Sequence, residues 1–247
     1  MTPDHSRALE GEIAWHRQES LVTLTLHRPQ AANAYTAAML EQLDEALARI
    51  EADAGILAVA ITGADRWFCA GADHRERDTR EWVAVLELPS ARVFRRLARC
   101  PAVTIAALNG AAIGGGLELA LAADLRVACE AATFSLPELE FGLLPAAGGI
   151  DRLQQLVGPM AARQMILAGV VWTADEAYRH GLVLEVTPDR ASLWQRVADY
   201  GRCIATRDAS ALRLAKQRLS SDVEMSTEAT RLAQALLVSR RSSAAKQ

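Results

Sequence analysis

The feature that most constrains the fold is a strand, a glycine turn and a helix start in immediate succession. The apolar run from Ala102 to Leu108 contains β-branched residues and is typical of a buried strand. The turn Gly114-Gly115-Gly116 and the good helix formers Leu117 to Ala123 follow it. Three glycines lose much backbone entropy on folding, so either a neighbouring strand packs closely here or a ligand approaches the backbone. A helix N-terminus offers unpaired N–H groups, which suit an anion or an oxygen that becomes one.

Two better-known glycine loops do not fit this stretch. No Lys-Ser or Lys-Thr pair follows the glycines, as a phosphate-binding P-loop requires, and the spacing is not that of a dinucleotide-binding loop. The unusual residue is Glu118, which is ionisable and stands in an otherwise apolar helix. Burying a carboxylate costs free energy unless it is paired, so a chemical role for Glu118 is the hypothesis.

The composition excludes several classes of protein. A formal net charge of -3 over 247 residues leaves no electrostatic footprint for nucleic acid or for an anionic membrane. The four cysteines have no CxxC spacing, so neither a zinc site nor a disulfide framework is indicated. The N-terminus lacks the features of a signal or transit peptide, and no run of about 18 apolar residues occurs. We therefore expect a soluble cytoplasmic protein without a metal site.

Strands and helices alternate along the first part of the chain, which favours crossover connections and mostly parallel strands in an α/β fold. Strands are predicted at 12–18, 21–27, 57–62, 102–108, 125–129 and 133–136, with helices around 39–50, 80–99 and 117–123. From about residue 149 the pattern becomes helical, at 150–157, 161–167, 174–180, 191–205, 210–219 and 227–237, with one short strand at 182–186. The predicted division is a core over 1–190, a helical region over 191–238 and a disordered tail over 239–247.

A second small-residue element, Ala70-Gly71-Ala72, also follows a predicted strand. In a mostly parallel sheet both this element and the three glycines lie at the carboxyl ends of their strands, where open α/β folds bind ligands. The two elements can therefore converge. Two backbone N–H groups aimed at one point make an oxyanion hole, and the loss of one such donor costs about 3 to 4 kcal/mol of transition-state stabilisation.

A second acidic residue, Glu138, stands among apolar and turn residues. It follows Pro137 and can be read simply as the acid of a helix N-terminus. Together with Glu118 it suggests more. Two partly buried carboxylates beside an oxyanion hole are what acid–base chemistry next to a carbonyl requires, one to move a proton to or from carbon and one to handle water.

At this point the sequence resembles the crotonase, or enoyl-CoA hydratase/isomerase, family over roughly residues 10 to 220. The motifs that carry the resemblance are His27-Arg28-Pro29 with Asn33-Ala34, Phe68-Cys69-Ala70-Gly71-Ala72-Asp73, Asn109-Gly110 through Glu118-Leu119-Ala120, and Pro137-Glu138 with Phe141-Gly142 through Gly148-Gly149. The resemblance implies a ββα spiral core with a helical C-terminal region, assembled as a homotrimer or homohexamer.

The resemblance also implies roles for individual residues. The N–H groups of Ala72 and Gly115 would stabilise a thioester enolate, and Glu118 and Glu138 would hold and activate water for addition across the 2,3 double bond of an acyl thioester. The residues expected to bind substrate are Arg28, Ala34, Ala70, Gly71, Asp73, Arg75 and Gly114, with Arg28 and Arg75 as candidates for the CoA phosphates. No metal or redox cofactor is expected, because CoA enters as part of the substrate.

Three alternatives stay open at the level of sequence. The same oxyanion hole serves other reactions of the family, such as double-bond isomerisation, decarboxylation or hydrolysis. The chain ends in Leu236-Leu237-Val238-Ser239-Arg240-Arg241, without the Asp/Glu-Gly turn, the Phe and the Lys/Arg-rich segment that the family usually carries there, and this makes a carrier-protein thioester an alternative substrate to acyl-CoA. A relative that has lost catalysis and serves as an assembly subunit is the third reading.

Overall fold

The computed structural model describes residues 11–73, 75 and 88–219 of the chain. The strands are β1 Glu12–Gln18, β2 Leu21–His27, β3 Ala58–Gly63, β4 Trp67–Cys69, β5 Val103–Leu108, β6 Ala111–Ile113, β7 Leu125–Cys129, β8 Thr133–Ser135, β9 Trp172–Thr173 and β10 Val186–Thr187. The α-helices within these ranges are α1 Ala37–Ala52, α2 Pro89–Ala98, α3 Gly115–Leu121, α4 Gly149–Val157, α5 Pro159–Leu167, α6 Ala174–Arg179, α7 Arg190–Ala205 and α8 Ala209–Leu219.

The strands form two sheets that the chain visits alternately. The larger sheet has the order β1-β2-β3-β5-β7-β10, and the smaller has the order β4-β6-β8-β9. Successive strands β3 and β4, β5 and β6, and β7 and β8 each place one strand in either sheet before a helix follows. All pairs are parallel except β1 with β2 and β8 with β9. This arrangement is the predicted ββα spiral, and the prediction of mostly parallel pairing is confirmed.

The larger sheet has an apolar cluster on each face, because its central strands are buried on both sides. Side chains alternate between the faces with the period of two that a strand imposes. In β3, Ala58 and Ala60 pack towards Leu193 and Val197 of α7, in the smaller of the two clusters. The intervening Val59 and Ile61 belong to the larger cluster, to which α1 and α2 also contribute. Helix α7 therefore covers one face of this sheet.

Several predicted elements match the structure closely. The bounds of β1, β2 and β7 are those predicted, and all six apolar positions expected on the inner face of α1 are buried. The predicted helix at 80–99 is confirmed as α2 for its second half, while 80–87 lie outside the described residues. The helix predicted at 227–237 and the tail at 239–247 also lie outside them.

The sequence prediction was wrong for the short strands. The segment 66–75 was expected to be a loop, yet it contains β4, and β6 lies just before the glycine turn, where no strand was predicted. Strand β9 was not predicted either, and the strand expected at 182–186 begins only at Val186. Among the described residues, no helix is both long and apolar enough to span a bilayer.

Candidate active site

The two small-residue elements meet because β4 and β6 are parallel neighbours in the smaller sheet. Both strands end at the same edge, so the loop after Cys69 lies beside the glycine turn after Ile113. Gly71 has φ +92°, and a Cβ built on it would lie only 3.0 Å from the Ile113 carbonyl oxygen and 3.2 Å from the Gly115 nitrogen. Only glycine allows these two backbones to approach so closely. The predicted convergence is therefore observed.

Of the four backbone N–H groups in the loop 70–73, three donate hydrogen bonds to residues that the structure describes and one, that of Ala72, does not. The N–H of Ala70 donates to the Ala32 carbonyl at 3.0 Å, and that of Gly71 donates to the Cys69 sulfur at 3.4 Å. The N–H of Asp73 donates to the Tyr35 carbonyl at 2.9 Å. The Ala72 N–H has no acceptor within the described part of the chain, because the parallel bridge to Tyr35 turns it to the opposite side. It is a donor available to a ligand.

The second available donor is the N–H of Gly115, the first residue of α3. The first N–H groups of a helix have no partner inside the helix, and the Glu118 N–H is already bonded to the Gly114 carbonyl at 3.0 Å. The next residue, Gly116, has a different purpose, because a Cβ there would overlap the Cys69 carbonyl oxygen. The close-packing interpretation of the glycine turn is therefore confirmed at Gly116, and the Gly115 N–H is a donor without a partner inside its own helix.

Glu118 projects from α3 into a nearly closed environment, where it is 4% exposed. Its Oε1 atom accepts the N–H groups of Ala147 at 2.8 Å and of Gly149 at 2.9 Å. Gly149 begins α4, so the carboxylate lies at a helix N-terminus. Burial raises the pKa of Glu118 to about 7, and repulsion from Glu138 adds to this, while the two N–H groups and the charge of Arg152 oppose it. A carboxyl with a pKa near neutrality is suited to proton transfer.

Glu138 lies on the other side of the glycine turn. It begins the short 3-10 helix Glu138–Phe141 and is 6% exposed. Gly114 has φ +54°, and a Cβ on it would be 3.0 Å from the Glu138 Oε1 atom. Since the charge of Glu138 raises the pKa of Glu118, the two carboxyls are close enough to interact. The structure therefore gathers both predicted carboxyls beside the two available N–H groups.

Arg28 and Arg75, the residues expected to contact the CoA phosphates, both form ion pairs with Asp73. The Arg28 guanidinium is buried and donates to Asp73 Oδ2 at 2.7 Å and to the Ala34 carbonyl at 3.1 Å. Arg75 is exposed and donates to the same Asp73 oxygen at 2.9 Å. Hydrogen bonds from Arg75 and Arg28 hold the pKa of Asp73 well below its usual range. Arg28 therefore links the segment at Ala34 to the loop 70–73.

Two asparagines that carried the family resemblance bond to the turn that joins β3 to β4. Asn33 Oδ1 accepts the Arg28 N–H at 3.0 Å, and its Nδ2 donates to the carbonyls of Ala64 and Trp67 at 2.8 Å. Asn109 Oδ1 accepts the Thr62 hydroxyl and the Gly63 N–H, and its Nδ2 donates to the backbone carbonyls of Asp65 and Trp67. These bonds hold the turn between β3 and β4.

Sequence reasoning missed Arg152 as a site residue. Its Nη1 donates to the Ala147 carbonyl at 2.8 Å, on the peptide unit next to the one that binds Glu118. The signal was a basic residue three positions after the Gly148-Gly149 pair, in the first turn of α4. No group of three or more His, Cys, Asp or Glu side chains suited to a metal occurs among the described residues.

Comparisons with known proteins give one consistent family. A family model described as enoyl-CoA hydratase/isomerase matches residues 16–246. The 2,3-dehydroadipyl-CoA hydratase of Escherichia coli is 38% identical over 218 residues, which are 88% of this chain and 85% of that protein. The short-chain-enoyl-CoA hydratase of Clostridium acetobutylicum is 35% identical over 215 residues, 86% of this chain and 82% of that one. The crystal structure of an enoyl-CoA hydratase from Bacillus anthracis superposes with a TM-score of 0.84 at 33% identity, covering 91% of this chain and 88% of that chain.

Proposed function

This chain belongs to the enoyl-CoA hydratase/isomerase family, and on that premise we propose that it adds water reversibly across the 2,3 double bond of an acyl-CoA thioester. The observation that carries the proposal is the pair of buried carboxyls, Glu118 and Glu138, beside two available N–H groups. An isomerisation moves a proton between two carbons and needs one acid–base group. For hydration the enzyme must also bind and deprotonate a water molecule, and the second carboxyl can serve as the base for this step.

The N–H groups of Ala72 and Gly115 would bind the thioester oxygen. As the nucleophile attacks C3, the electron pair of the double bond moves towards the carbonyl, and negative charge develops on that oxygen. Donors that already point at this position need no reorganisation during the reaction, which is why such holes stabilise transition states strongly. The α3 N-terminus adds its positive end to the same point.

The two carboxyls would divide the proton transfers. Glu118 in its ionised form takes a proton from water, whose oxygen forms the new bond to C3. Glu138 in its protonated form gives a proton to C2, so that the product gains one OH and one H in total. The proton then left on Glu118 returns to Glu138 before the next turnover, which restores both groups. The pKa of Glu118 is raised to about 7 mainly by burial, and protonation of Glu138 removes the repulsion that adds to this shift, so Glu118 can act as the ionised base near neutral pH.

The substrate class follows from the relatives, which are named as hydratases of CoA thioesters. We propose Ala34, Ala70, Gly71 and Gly114 as the backbone surface around the thioester, and Asp73 as the anchor that Arg28 and Arg75 hold. Gly114 carries the left-handed backbone that brings Glu138 to the turn. The reaction as proposed needs no metal or redox cofactor, because the thioester itself accepts the electron pair.

We also propose that the protein acts as a homotrimer or homohexamer in the cytoplasm. Support for assembly comes from the large apolar side chains that are exposed in the described part of the chain, most of which fall between residues 139 and 171. They include Leu139, Phe141, Leu143, Leu144, Ile150, Leu156, Met160, Leu167 and Val171. Such a concentration of exposed apolar surface is typical of a protein–protein interface. Sedimentation of the purified protein tests the stoichiometry.

The function is tested by turnover of the wild type, Glu118→Gln and Glu138→Gln on 2-enoyl-CoA thioesters, followed by the loss of enoyl absorbance. Each substitution is expected to lower kcat by about 10²- to 10⁴-fold, the range of general acid–base catalysis. Glu140→Gln is the matched control, because Glu140 belongs to the same short helix and is exposed. If the protein moves the double bond of a 3-enoyl-CoA and Glu118→Gln retains that activity, it is an isomerase and the proposal is wrong.

A further inference from the structure

One residue, Tyr35, contacts both halves of the oxyanion hole, and we infer that it is a positioning residue that sets the separation between the Ala72 and Gly115 N–H groups. The inference rests on the proposed function of these two groups. Tyr35 stands between the strand β2 and the helix α1, outside the two elements that supply the donors. It is 7% exposed, so its ring is packed within the protein.

The backbone of Tyr35 holds the first donor. Its N–H donates to the Gly71 carbonyl at 2.8 Å, and its carbonyl accepts the Asp73 N–H at 2.9 Å. These two bonds are those of a parallel bridge centred on Ala72. The peptide group of Ala72 cannot rotate without breaking one of them. The direction of the Ala72 N–H is therefore set by the position of Tyr35.

The side chain of Tyr35 holds the second donor. A Cβ on Gly115 would overlap the Tyr35 hydroxyl oxygen and would lie 3.0 Å from Cζ and 3.1 Å from Cε1. The end of the Tyr35 ring therefore packs against the Gly115 backbone. Phe94 of α2 supports the ring from another direction, with its centroid 5.8 Å away and its plane nearly perpendicular. Gly115 is thus a glycine because Tyr35 occupies the space of a side chain.

This arrangement makes Tyr35 a spacer between the donors. Its main chain is hydrogen-bonded to the loop that carries Ala72, and its side chain limits how near α3 can come. Because donors stabilise an oxyanion only when they lie within hydrogen-bonding distance of it, a small change in spacing weakens the transition state more than the bound substrate. Substitution of Tyr35 should therefore lower kcat and leave KM within about threefold.

The test is a double-mutant cycle with Tyr35→Phe and Gly115→Ala. Tyr35→Phe removes the oxygen that the new Cβ would overlap, while the ring atoms at 3.0 and 3.1 Å can yield slightly. We expect Tyr35→Phe to lower kcat by about three- to tenfold and Gly115→Ala by about a hundredfold, with the double variant at least about threefold more active than Gly115→Ala. A double variant no more active than Gly115→Ala would overturn the inference.

The adjacent pair Tyr200 and Gly201 provides a matched control cycle. Tyr200 is half-buried in α7, and the three atoms nearest to a Cβ on Gly201 would all belong to the flexible Leu21 side chain, at 3.2 Å or more. Tyr200→Phe, Gly201→Ala and their combination should leave kcat unchanged and show no coupling. Thermal unfolding of all variants confirms that each is folded under the assay conditions.

A second readout separates this inference from the proposed function. Acetoacetyl-CoA loses a proton at C2 to give an enolate with its own ultraviolet absorbance, and an oxyanion hole favours that form. The wild type should show the enolate signal, Gly115→Ala should lose most of it, and the double variant should regain it. If water addition fails while this pattern holds, the hydratase proposal is wrong and the inference stands. If water is added but the signal does not depend on Tyr35, the inference is wrong and the proposal stands.

Discussion

Replacement of Glu118 by glutamine should make the protein more stable at alkaline pH. The carboxyl has a pKa of about 7 in the folded protein, because burial disfavours its charged form, against 4.5 as its ordinary value. Between these values the folded state binds more protons than the unfolded state, so stability falls as pH rises through this window. One pKa unit corresponds to about 1.4 kcal/mol, so the full shift costs about 3 kcal/mol above pH 7.

Glutamine suits the comparison because its carbonyl oxygen can still accept the N–H groups of Ala147 and Gly149. The variant removes the charge and keeps the acceptor. We therefore expect Glu118→Gln to gain stability relative to the wild type by about 2 to 3 kcal/mol more at pH 8.5 than at pH 5. The same substitution should lower kcat strongly. Residues that serve catalysis are often unfavourable for the stability of the fold.

Urea unfolding of both proteins at pH 5 and pH 8.5 measures this difference directly. Glu130→Gln serves as the control, because Glu130 is exposed and should give the same difference from wild type at both pH values. The reasoning would be refuted if the gap between Glu118→Gln and the wild type did not change with pH. That result would mean that the carboxyl ionises in the folded protein as easily as in the unfolded chain.

Three further predictions concern the residues around the site. Arg152→Gln removes a positive charge that lowers the pKa of Glu118, so the acid limb of the pH profile of kcat/KM should move to higher pH; an unmoved limb would exclude this role. Gly116→Ala places a Cβ onto a backbone carbonyl of β4 and should destabilise the fold by about 3 kcal/mol in urea, whereas a loss below about 1 kcal/mol would contradict the close packing. Lys216→Met breaks an ion pair of 2.6 Å between the buried Lys216 and the partly exposed Asp124 and should cost about 2 kcal/mol in the same assay, and an unchanged midpoint would show that α8 is not anchored there.

Local patterns predicted those parts of the fold whose signals are long. The alternation in β2 and the helical repeat in α1 both extend over at least seven residues, and their bounds and faces were predicted well. Strands β4, β6 and β9 are two or three residues long, too short for a period to be detected. The second sheet, which these strands form with β8, was therefore not derivable from periodicity and came only from the resemblance.

The site residues likewise divide into those that the sequence predicted and those that depend on tertiary contacts. Glu118 and Glu138 were predicted because a carboxylate in an apolar stretch is costly and so conspicuous. The partners of Arg28 could not be read from sequence, since Asp73 is 45 residues away and a basic residue suits a phosphate and a carboxylate equally well. The same applies to Arg152 and Asn109, whose importance lies in hydrogen bonds to backbone carbonyls. The partners in such bonds depend on tertiary structure and cannot be read from the chain.

The central claim is that water is added to the substrate, and labelled water tests it most directly. The protein is incubated with short, branched and aryl 2-enoyl-CoA thioesters in ¹⁸O-labelled water, and the masses of the acyl products are measured by mass spectrometry. Hydration predicts the gain of one labelled water, with oxygen at C3, and its loss in Glu118→Gln and Glu138→Gln. Migration of the double bond or release of CoA without label at C3 would contradict the account.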